Sequence, residues 1–148
     1  MVMFVFIVIF FLVMIIFYRF TINSIKEEER NYKLERFNLM IEIIPNMPEF
    51  KCSELGKEID CVDVLKLLGF KNLNNEYYNE MFKDKTIYFE EIYPEENGQE
   101  CVSNYFNCGK FIIADNAEAG LRVSGPVVLY YANEDEYKIG KVVIQEEK

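Results

Sequence analysis

Apolar residues fill the start of the chain without interruption and then follow two different periodicities. From Met1 to Tyr18 every residue is apolar or aromatic. From residue 20 to 44 apolar residues recur mostly at three- and four-residue spacings between charged ones, which predicts an amphipathic helix. From Thr86 onward the spacing shortens to alternation, which predicts strands. The pattern therefore predicts helices first and a sheet afterwards, an α+β fold.

The opening run, residues 1–18, is long enough to cross a membrane. As a helix it would extend roughly 27 Å at about 1.5 Å per residue, close to a hydrocarbon thickness of about 30 Å. A cleaved signal peptide normally has a basic segment before its apolar one, and a core helix normally keeps a polar face. We therefore predict an uncleaved transmembrane anchor over these two alternatives. The named anchor residues are Met1, Phe4, Phe6, Ile9, Phe11, Ile15 and Phe17.

An amphipathic continuation of the anchor helix is predicted over residues 19–45. Its apolar positions are Phe20, Ile25, Tyr32, Leu34, Phe37, Met40, Ile41 and Ile44. The segment "PNMP" ends the pattern because proline cannot continue a helix. We predict that this stripe packs on a globular head formed by residues 46–148, and the alternative is a stalk helix whose charged face is simply solvated.

The predicted head contains two short helices and an antiparallel sheet of about four strands. The stretch "EIDCVDVLKLLGF" predicts a helix with Asp60 as N-cap and Gly69 as C-cap. A second helix is predicted in "NLNNEYYNEMFKDK", capped by Asn74 or Asn75. The strands are predicted in "TIYFEEIYP", "KFIIAD", "LRVSGPVVLYYA" and "YKIGKVVIQ", with turns at Asn97-Gly98 and "NEDE".

Alternation is clearest in the third of these strands. Its inward face would consist of Leu121, Val123, Val127, Leu129 and Tyr131. Arg122, Ser124 and Tyr130 would then lie on the opposite face. Pro126 suits a sheet edge or a bulge because it has no backbone donor for a ladder.

Composition narrows the functions that this chain can perform. Acidic residues number 25 against 16 basic ones, so the net charge of −9 argues against nucleic-acid binding. Histidine is absent, which removes histidine triads, histidine metal ligands and the usual general base. We therefore predict a non-enzymatic protein with no cofactor and no metal site.

Acidic clusters are the remaining candidates for chemistry. They lie at Glu90-Glu91, Glu95-Glu96 and Glu134-Asp135-Glu136. Carboxylate pairs can perform acid–base work when they converge, but charge runs are usually solvated surface. A membrane-anchored enzyme that uses carboxylates is therefore the least favoured alternative.

The cysteines form the one constellation that spacing can interpret. Cys52 and Cys61 enclose eight residues, and Cys101 and Cys108 enclose six. Structural zinc sites commonly place paired cysteines two to four residues apart, so zinc fits poorly. An even number in loop-like stretches favours disulfides, Cys101–Cys108 first and then Cys52–Cys61. Free thiols and a metal site stay open as alternatives.

Charges and cysteines disagree about which side of the membrane the head occupies. Arg19, Lys26, Arg30 and Lys33 follow the apolar run, which favours a cytoplasmic head. Disulfides form in oxidising compartments, which favours an exterior one. We predict a single-pass protein of the cell membrane with an extracytoplasmic head. A cytoplasm-facing accessory subunit of a membrane complex is the alternative.

Tyrosines provide a candidate interaction face. Tyr77, Tyr78, Tyr130 and Tyr131 are proposed for it because tyrosine is enriched at protein interfaces. Packing between sheet and helices uses the same residue type and is the alternative. The expected partners are the lipid bilayer, through the N-terminal helix, and other membrane or envelope proteins.

A helix that is apolar and then amphipathic, followed by a sheet with loop cysteines, resembles the layout of type IV pilins and pseudopilins. The tail "LRVSGPVVLYYANEDEYKIGKVVIQ" is similar to the closing hairpin of small single-pass, pilin-like proteins of archaea, in which this hairpin follows a cysteine-bearing loop such as "CVSNYFNC". This resemblance implies a pilin-like layout, an envelope location and a minor pilin-like or assembly role. The chain departs from pilins because no acidic residue precedes Glu27 and no processing site is visible, so we do not expect a polymerising pilin.

Overall fold

The protein combines a long N-terminal helix with a mixed sheet, and its fold class is α+β as predicted. The computed structural model describes residues 2–54, 56–70, 76–94, 98–101, 108–117 and 120–147. Two compact units divide the chain, Met1–Arg36 and Phe37–Lys148. The predicted caps Asn74 and Asn75, and Asn97 of the predicted turn, lie outside the described residues.

The long helix, α1, is uninterrupted from Val2 to Ile43 and is followed by a 3-10 turn at Ile44–Asn46. No glycine or proline occurs before Pro45, so nothing breaks the helical hydrogen bonds earlier. The segments predicted as an anchor and as its amphipathic continuation therefore form one helix.

The predicted apolar stripe of α1 divides into two parts. Phe37 and Ile44 are buried, and Met40 and Ile41 pack against the same core. The earlier members of the stripe stay exposed, namely Phe20, Ile25 and Tyr32. The stripe thus packs on the core at Phe37, Met40, Ile41 and Ile44.

Two short helices follow, α2 over Val64–Phe70 and α3 over Glu76–Met81. The predicted cap of α2 is wrong by three residues, because Asp63 rather than Asp60 accepts the first backbone donors. Its Oδ1 accepts a hydrogen bond from the backbone N–H of Leu65 at 2.9 Å. Residues before Asp63 form a strand, and Gly69 lies inside α2 rather than after it.

Within the described residues the sheet has six strands, whereas about four were predicted. They are β1 Lys51–Glu54, β2 Lys57–Asp63, β3 Lys85–Tyr93, β4 Lys110–Asp115, β5 Gly120–Tyr131 and β6 Glu136–Glu147. Their order is β1-β2-β5-β6-β3-β4. The sheet is mixed, because β2 pairs with β5 in parallel through Val62↔Leu129 and Asp63↔Tyr130.

The inner face of the sheet carries the core. The alternation predicted for β5 is confirmed, since Val127, Leu129 and Tyr131 are buried and Arg122 and Ser124 are exposed. The other large core residues include Phe37, Phe50, Leu67, Phe89, Phe111 and Ile144. Gly125 lies where the side chain of Ile41 meets β5, and a larger residue there would collide with it. The absence of a side chain on Gly125 thus lets the end of α1 pack directly on the sheet.

Candidate membrane anchor and interaction surface

The start of α1 is exposed and apolar on all sides. The named anchor residues Phe4, Phe6, Ile9, Phe11, Ile15 and Phe17 are each more than half exposed. Met1 lies outside the described residues. Among the described helices, this one is long and apolar enough to cross a membrane, and none of its most apolar 18-residue window is buried. Lipid is the environment that such a surface favours over water.

Both favoured cysteine pairings are at bonding distance. The sulfurs of Cys52 and Cys61 are 2.01 Å apart, and those of Cys101 and Cys108 are 2.00 Å apart. The first pair joins β1 to β2, and the second closes a loop whose residues 102–107 lie outside the described part. All four cysteines are buried. This geometry fits the disulfide interpretation and not a four-thiolate metal site.

The four tyrosines proposed as an interaction face do not share one surface. Tyr131 is 2% exposed and lies on the inner face, whereas Tyr130 follows the alternation to the outer face. Tyr78 packs between Phe70 and Phe82 and donates a hydrogen bond to Glu49. Tyr77 is exposed on α3. Tyr77 and Tyr130 thus lie on separate elements, and Tyr130 has exposed apolar neighbours on the adjacent strand.

An apolar and aromatic surface lies around Tyr130 at one end of the sheet's outer face. The strand register places Val128 opposite Ile139, and Tyr130 opposite Tyr137. Tyr93 on β3 lies opposite Ile139 from the other side. We call these five residues the sheet-end patch. Its members form one continuous cross-strand cluster because side chains opposite each other on neighbouring strands are in contact range.

Exposure of the sheet-end patch is high for apolar side chains. Val128, Ile139, Tyr137 and Tyr93 are 41%, 54%, 57% and 64% exposed. The rings of Tyr130 and Tyr137 are in contact in a tilted arrangement, with 4.9 Å between their centroids. The hydroxyl of Tyr130 donates to Asp135 at 2.9 Å, and this bond raises the pKa of Tyr130. A contiguous exposed patch of this kind is typical of an interaction site.

A sequence signal for this patch exists but is easily missed. Val128 and Ile139 occupy outward positions opposite each other on β5 and β6. A solvated outer face normally carries polar residues there. Two outward apolar residues in adjacent antiparallel strands thus mark a surface that water does not favour.

The other end of the same outer face is covered. Val143 points outward beside Tyr88 and Ser124, yet it is fully buried. Lys110 lies over the Tyr88 ring with its Nζ at 4.3 Å from the centroid, and Arg122 donates to the Tyr88 hydroxyl. Long cationic side chains shield apolar surface in this way while their charges reach water.

A groove of about 570 Å³ adjoins the sheet-end patch. It lies where β2 and β5 stop pairing, and Val128 and Ile139 belong to both the groove and the patch. Its remaining lining is Pro45, Asn46, Asp60, Cys61, Val62, Pro126 and Val127. Pro126 therefore lies in a stretch of β5 that does not pair with β2. Proline suits such a position because it has no backbone N–H to donate to a neighbouring strand. The groove and the patch form one mostly apolar surface.

A buried polar network lies on the inner face behind the patch. Tyr131 donates to Glu91 at 2.7 Å, and the Nζ of Lys138 lies 3.4 Å from Glu91 and 3.6 Å from Glu134. The same Nζ is 4.2 Å from the centre of the Tyr131 ring. Burial, followed by the hydrogen bond to Glu91, raises the pKa of Tyr131. These contacts hold the ends of β3, β5 and β6 together.

Three carboxylates of the acidic clusters form ion pairs with lysines in the described residues, and Glu91 and Glu134 share Lys138. Glu90 faces Lys141 at 3.0 Å on the outer face, whereas Glu91 faces Lys138 on the inner one. Glu95 and Glu96 lie outside the described residues. Within the ranges that the structure describes, no group of three or more histidine, cysteine, aspartate or glutamate residues could hold a metal ion. Here each described carboxylate of Glu90, Glu91 and Glu134 has a lysine partner.

Comparison of the chain with protein-family models, with curated proteins and with solved structures gives no match. Within its described residues, the chain has one apolar helix that is long enough to span a membrane and an α+β head with two cysteine pairs at bonding distance.

Proposed function

We propose that the protein is a non-enzymatic, single-pass membrane protein whose extracytoplasmic head acts through protein–protein contact. The observation that carries this proposal is the sheet-end patch, an exposed aromatic and apolar surface on a head joined to an apolar helix. Its expected partner is another membrane or envelope protein. A minor pilin-like or envelope-assembly role fits the layout of a long helix that runs into an α+β head.

The chemistry of the sheet-end patch suits a protein partner. Tyr93, Tyr130 and Tyr137 offer rigid rings with hydroxyl groups at their tips, the combination that is enriched at protein interfaces. Val128 and Ile139 provide an apolar centre between them. Because the network of Glu91, Tyr131 and Lys138 holds the strands behind it, the surface is organised before a partner arrives.

The exterior location is supported by the cysteines. Two buried pairs at bonding distance favour an oxidising compartment. The cytoplasm-facing alternative is favoured by a separate observation, the basic residues Arg19, Lys26 and Arg30 that follow the apolar run. The two locations differ in the expected state of the thiols.

Alkylation of the protein in isolated membranes, before and after reduction, tests the location of the head. We expect no thiol to react in the unfolded, unreduced chain and four to react after reduction. Four reactive thiols before reduction would reject the exterior location and favour the cytoplasmic one. Protease treatment of intact cells tests the same point independently.

Co-purification of the full chain in mild detergent tests the contact surface. Tyr137→Ala removes an exposed ring from the sheet-end patch, and Tyr77→Ala removes an exposed ring from α3 as the control. We expect the first variant to lose a partner that the unaltered chain and the second variant retain. Equal retention by both variants, or equal loss, contradicts the assignment of the patch.

A further inference from the structure

The part of α1 that follows the apolar run carries bulky side chains that nothing in the described chain covers. Ile25 and Tyr32 are 58% and 67% exposed. A helix that runs through water normally presents polar residues on such positions. We propose that residues 18–43 pair with the same segment of a second copy of this chain as a parallel two-stranded coiled coil.

The spacing of the apolar residues fits this pairing. In a heptad repeat, lettered a to g, the core positions are a and d. Here the d positions are Tyr18, Ile25, Tyr32 and Leu39, and the a positions are Ile22, Glu29, Arg36 and Ile43. Six of these eight are apolar, and the repeat spans more than three heptads in the sequence. Apolar a and d positions sustained over this length are the signature of a coiled coil. Head packing uses other positions, Phe37, Met40 and Ile41.

Charges on either side of this row are separated by sign. The e positions, which follow d, are Arg19, Lys26, Lys33 and Met40, and the first three are basic. The g positions, which precede a, are Thr21, Glu28, Glu35 and Glu42. One flank of the row is therefore basic and the other acidic.

This charge separation selects the orientation of the second copy. In a parallel pair, a g residue faces the e residue of the next heptad on the partner, so Glu28 of one copy lies opposite Lys33 of the other. An antiparallel pair would set basic flank against basic flank and acidic against acidic. Helices that leave a membrane on the same side are parallel to each other, so the anchor imposes the arrangement that the charges favour.

Two polar residues interrupt the row and set its strength. Glu29 has its own partner, because its carboxylate lies 3.4 Å from the Nζ of Lys33. Arg36 occupies the following a position. A polar residue at a costs stability but fixes register and the number of strands. The pairing is therefore weak in solution and depends on the anchor, which raises the effective concentration of the second copy.

The inference rests on the anchor and is independent of the sheet-end patch. Single cysteines introduced in the full chain, in isolated membranes, test it after treatment with a mild oxidant. Ile25→Cys and Tyr32→Cys place a thiol at d, and the matched controls Ser24→Cys and Asn31→Cys place it one residue away. All four positions are exposed.

We expect disulfide-linked dimer on a non-reducing gel from the two d positions, at several times the yield from the two controls. The parent chain sets the background of the native cysteines. Equal yields at all four positions, or no dimer above background at positions 25 and 32, would overturn the proposal. A negative result here leaves the Tyr137 co-purification result unchanged, so the two proposals fail separately.

Charge exchange tests the parallel register within the Tyr32→Cys chain. Glu28→Lys and Lys33→Glu each place like charges opposite one another, and each is expected to lower the dimer yield on the order of two- to tenfold. The double exchange restores opposite charges and is expected to restore the yield. A double variant that crosslinks as poorly as the single ones would overturn the pairing of Glu28 with Lys33.

Discussion

The two ends of the outer sheet face are built from the same strands and yet meet the solvent differently. At one end Val143 is fully buried beside Tyr88, which lies under Lys110 and Arg122. At the other end Val128 and Ile139 are exposed. The chain thus covers one end of the outer sheet face with its own long side chains and leaves the other end uncovered. That difference indicates that the bare end serves a contact outside the chain.

The difference between the ends does not come from looser structure at the bare end. Behind the sheet-end patch, Lys138 and Glu91 form a buried ion pair, and Tyr131 donates to the same carboxylate. The register keeps Tyr137 and Ile139 on either side of Lys138 in β6. The bare end is thus a surface supported from behind.

Lys138→Met has the largest expected effect because it leaves the buried carboxylate of Glu91 without its cation. Breaking one partner of a buried pair typically costs about 3 kcal/mol. We expect a loss of this size in the free energy of unfolding, measured by urea denaturation of the full chain in detergent. Lys57→Met, at an exposed lysine, serves as the control and should stay within about 0.5 kcal/mol.

Removal of the Cys52–Cys61 pair comes next, because this bond holds β2 beside the groove. Closing a loop over a separation of 9 residues restricts the unfolded chain, and the chain-entropy relation gives roughly 2.5 kcal/mol for a loop of this size. We expect Cys52→Ser with Cys61→Ser to lower the free energy of unfolding by that amount. If a reducing agent lowers the free energy of unfolding of the double variant and of the parent equally, the Cys52–Cys61 pair does not contribute to stability, and the prediction is wrong.

Val143→Ala and Ile139→Ala compare the covered and the bare end directly. The first removes buried methyl groups and leaves a cavity, which costs about 2 kcal/mol. The second trims an exposed side chain, so we expect at most about 0.5 kcal/mol. Urea denaturation measures both. Equal losses would show that the bare end contributes to folding in the same way as the covered one.

Tyr78 gives a smaller, pH-dependent effect away from both ends of the sheet. Its hydrogen bond to Glu49, followed by burial, raises the pKa of Tyr78 to about 12 from 10.0. The folded state therefore holds this proton more tightly than the unfolded state, so the contribution is complete below pH 10. It is lost as the pH rises from about 10 to about 12. Thermal midpoints of Tyr78→Phe should fall less steeply over this range, and parallel curves would contradict the assignment.

Strong local patterns made part of this fold predictable. The helix from Val2 was expected because no breaker interrupts the apolar and amphipathic runs. The segment "KFIIAD" coincides with β4, and the alternation of β5 gave its inward face. In these stretches the local preference and the final environment agree.

Non-local pairings account for most of the errors. β1 and β2 are short and largely polar, and β2 joins the sheet through a parallel ladder of two residue pairs with β5. No local sequence pattern predicts a parallel ladder this short. Asp60 and Asp63 are equally good N-caps by residue type, and only the strand that ends at Asp63 decides between them.

The candidate site was predictable only in part. Tyr130 belongs to the sheet-end patch, and the strand alternation alone already separates it from Tyr131. The exposure of Ile139 could not be predicted without the register between β5 and β6, because the register decides which face of the sheet Ile139 lies on. The apolar helix was identified directly from its composition, because length and hydropathy decide that property.

Site-specific photocrosslinking in intact cells tests the central claim most directly. A photoreactive phenylalanine analogue replaces Tyr137 in the sheet-end patch, and in a second strain it replaces the exposed Tyr77 on α3. The proposed function predicts an adduct of one discrete mass from position 137 and none of that mass from position 77. The same adduct from both positions, or no adduct from position 137, would contradict a contact at the bare end of the sheet.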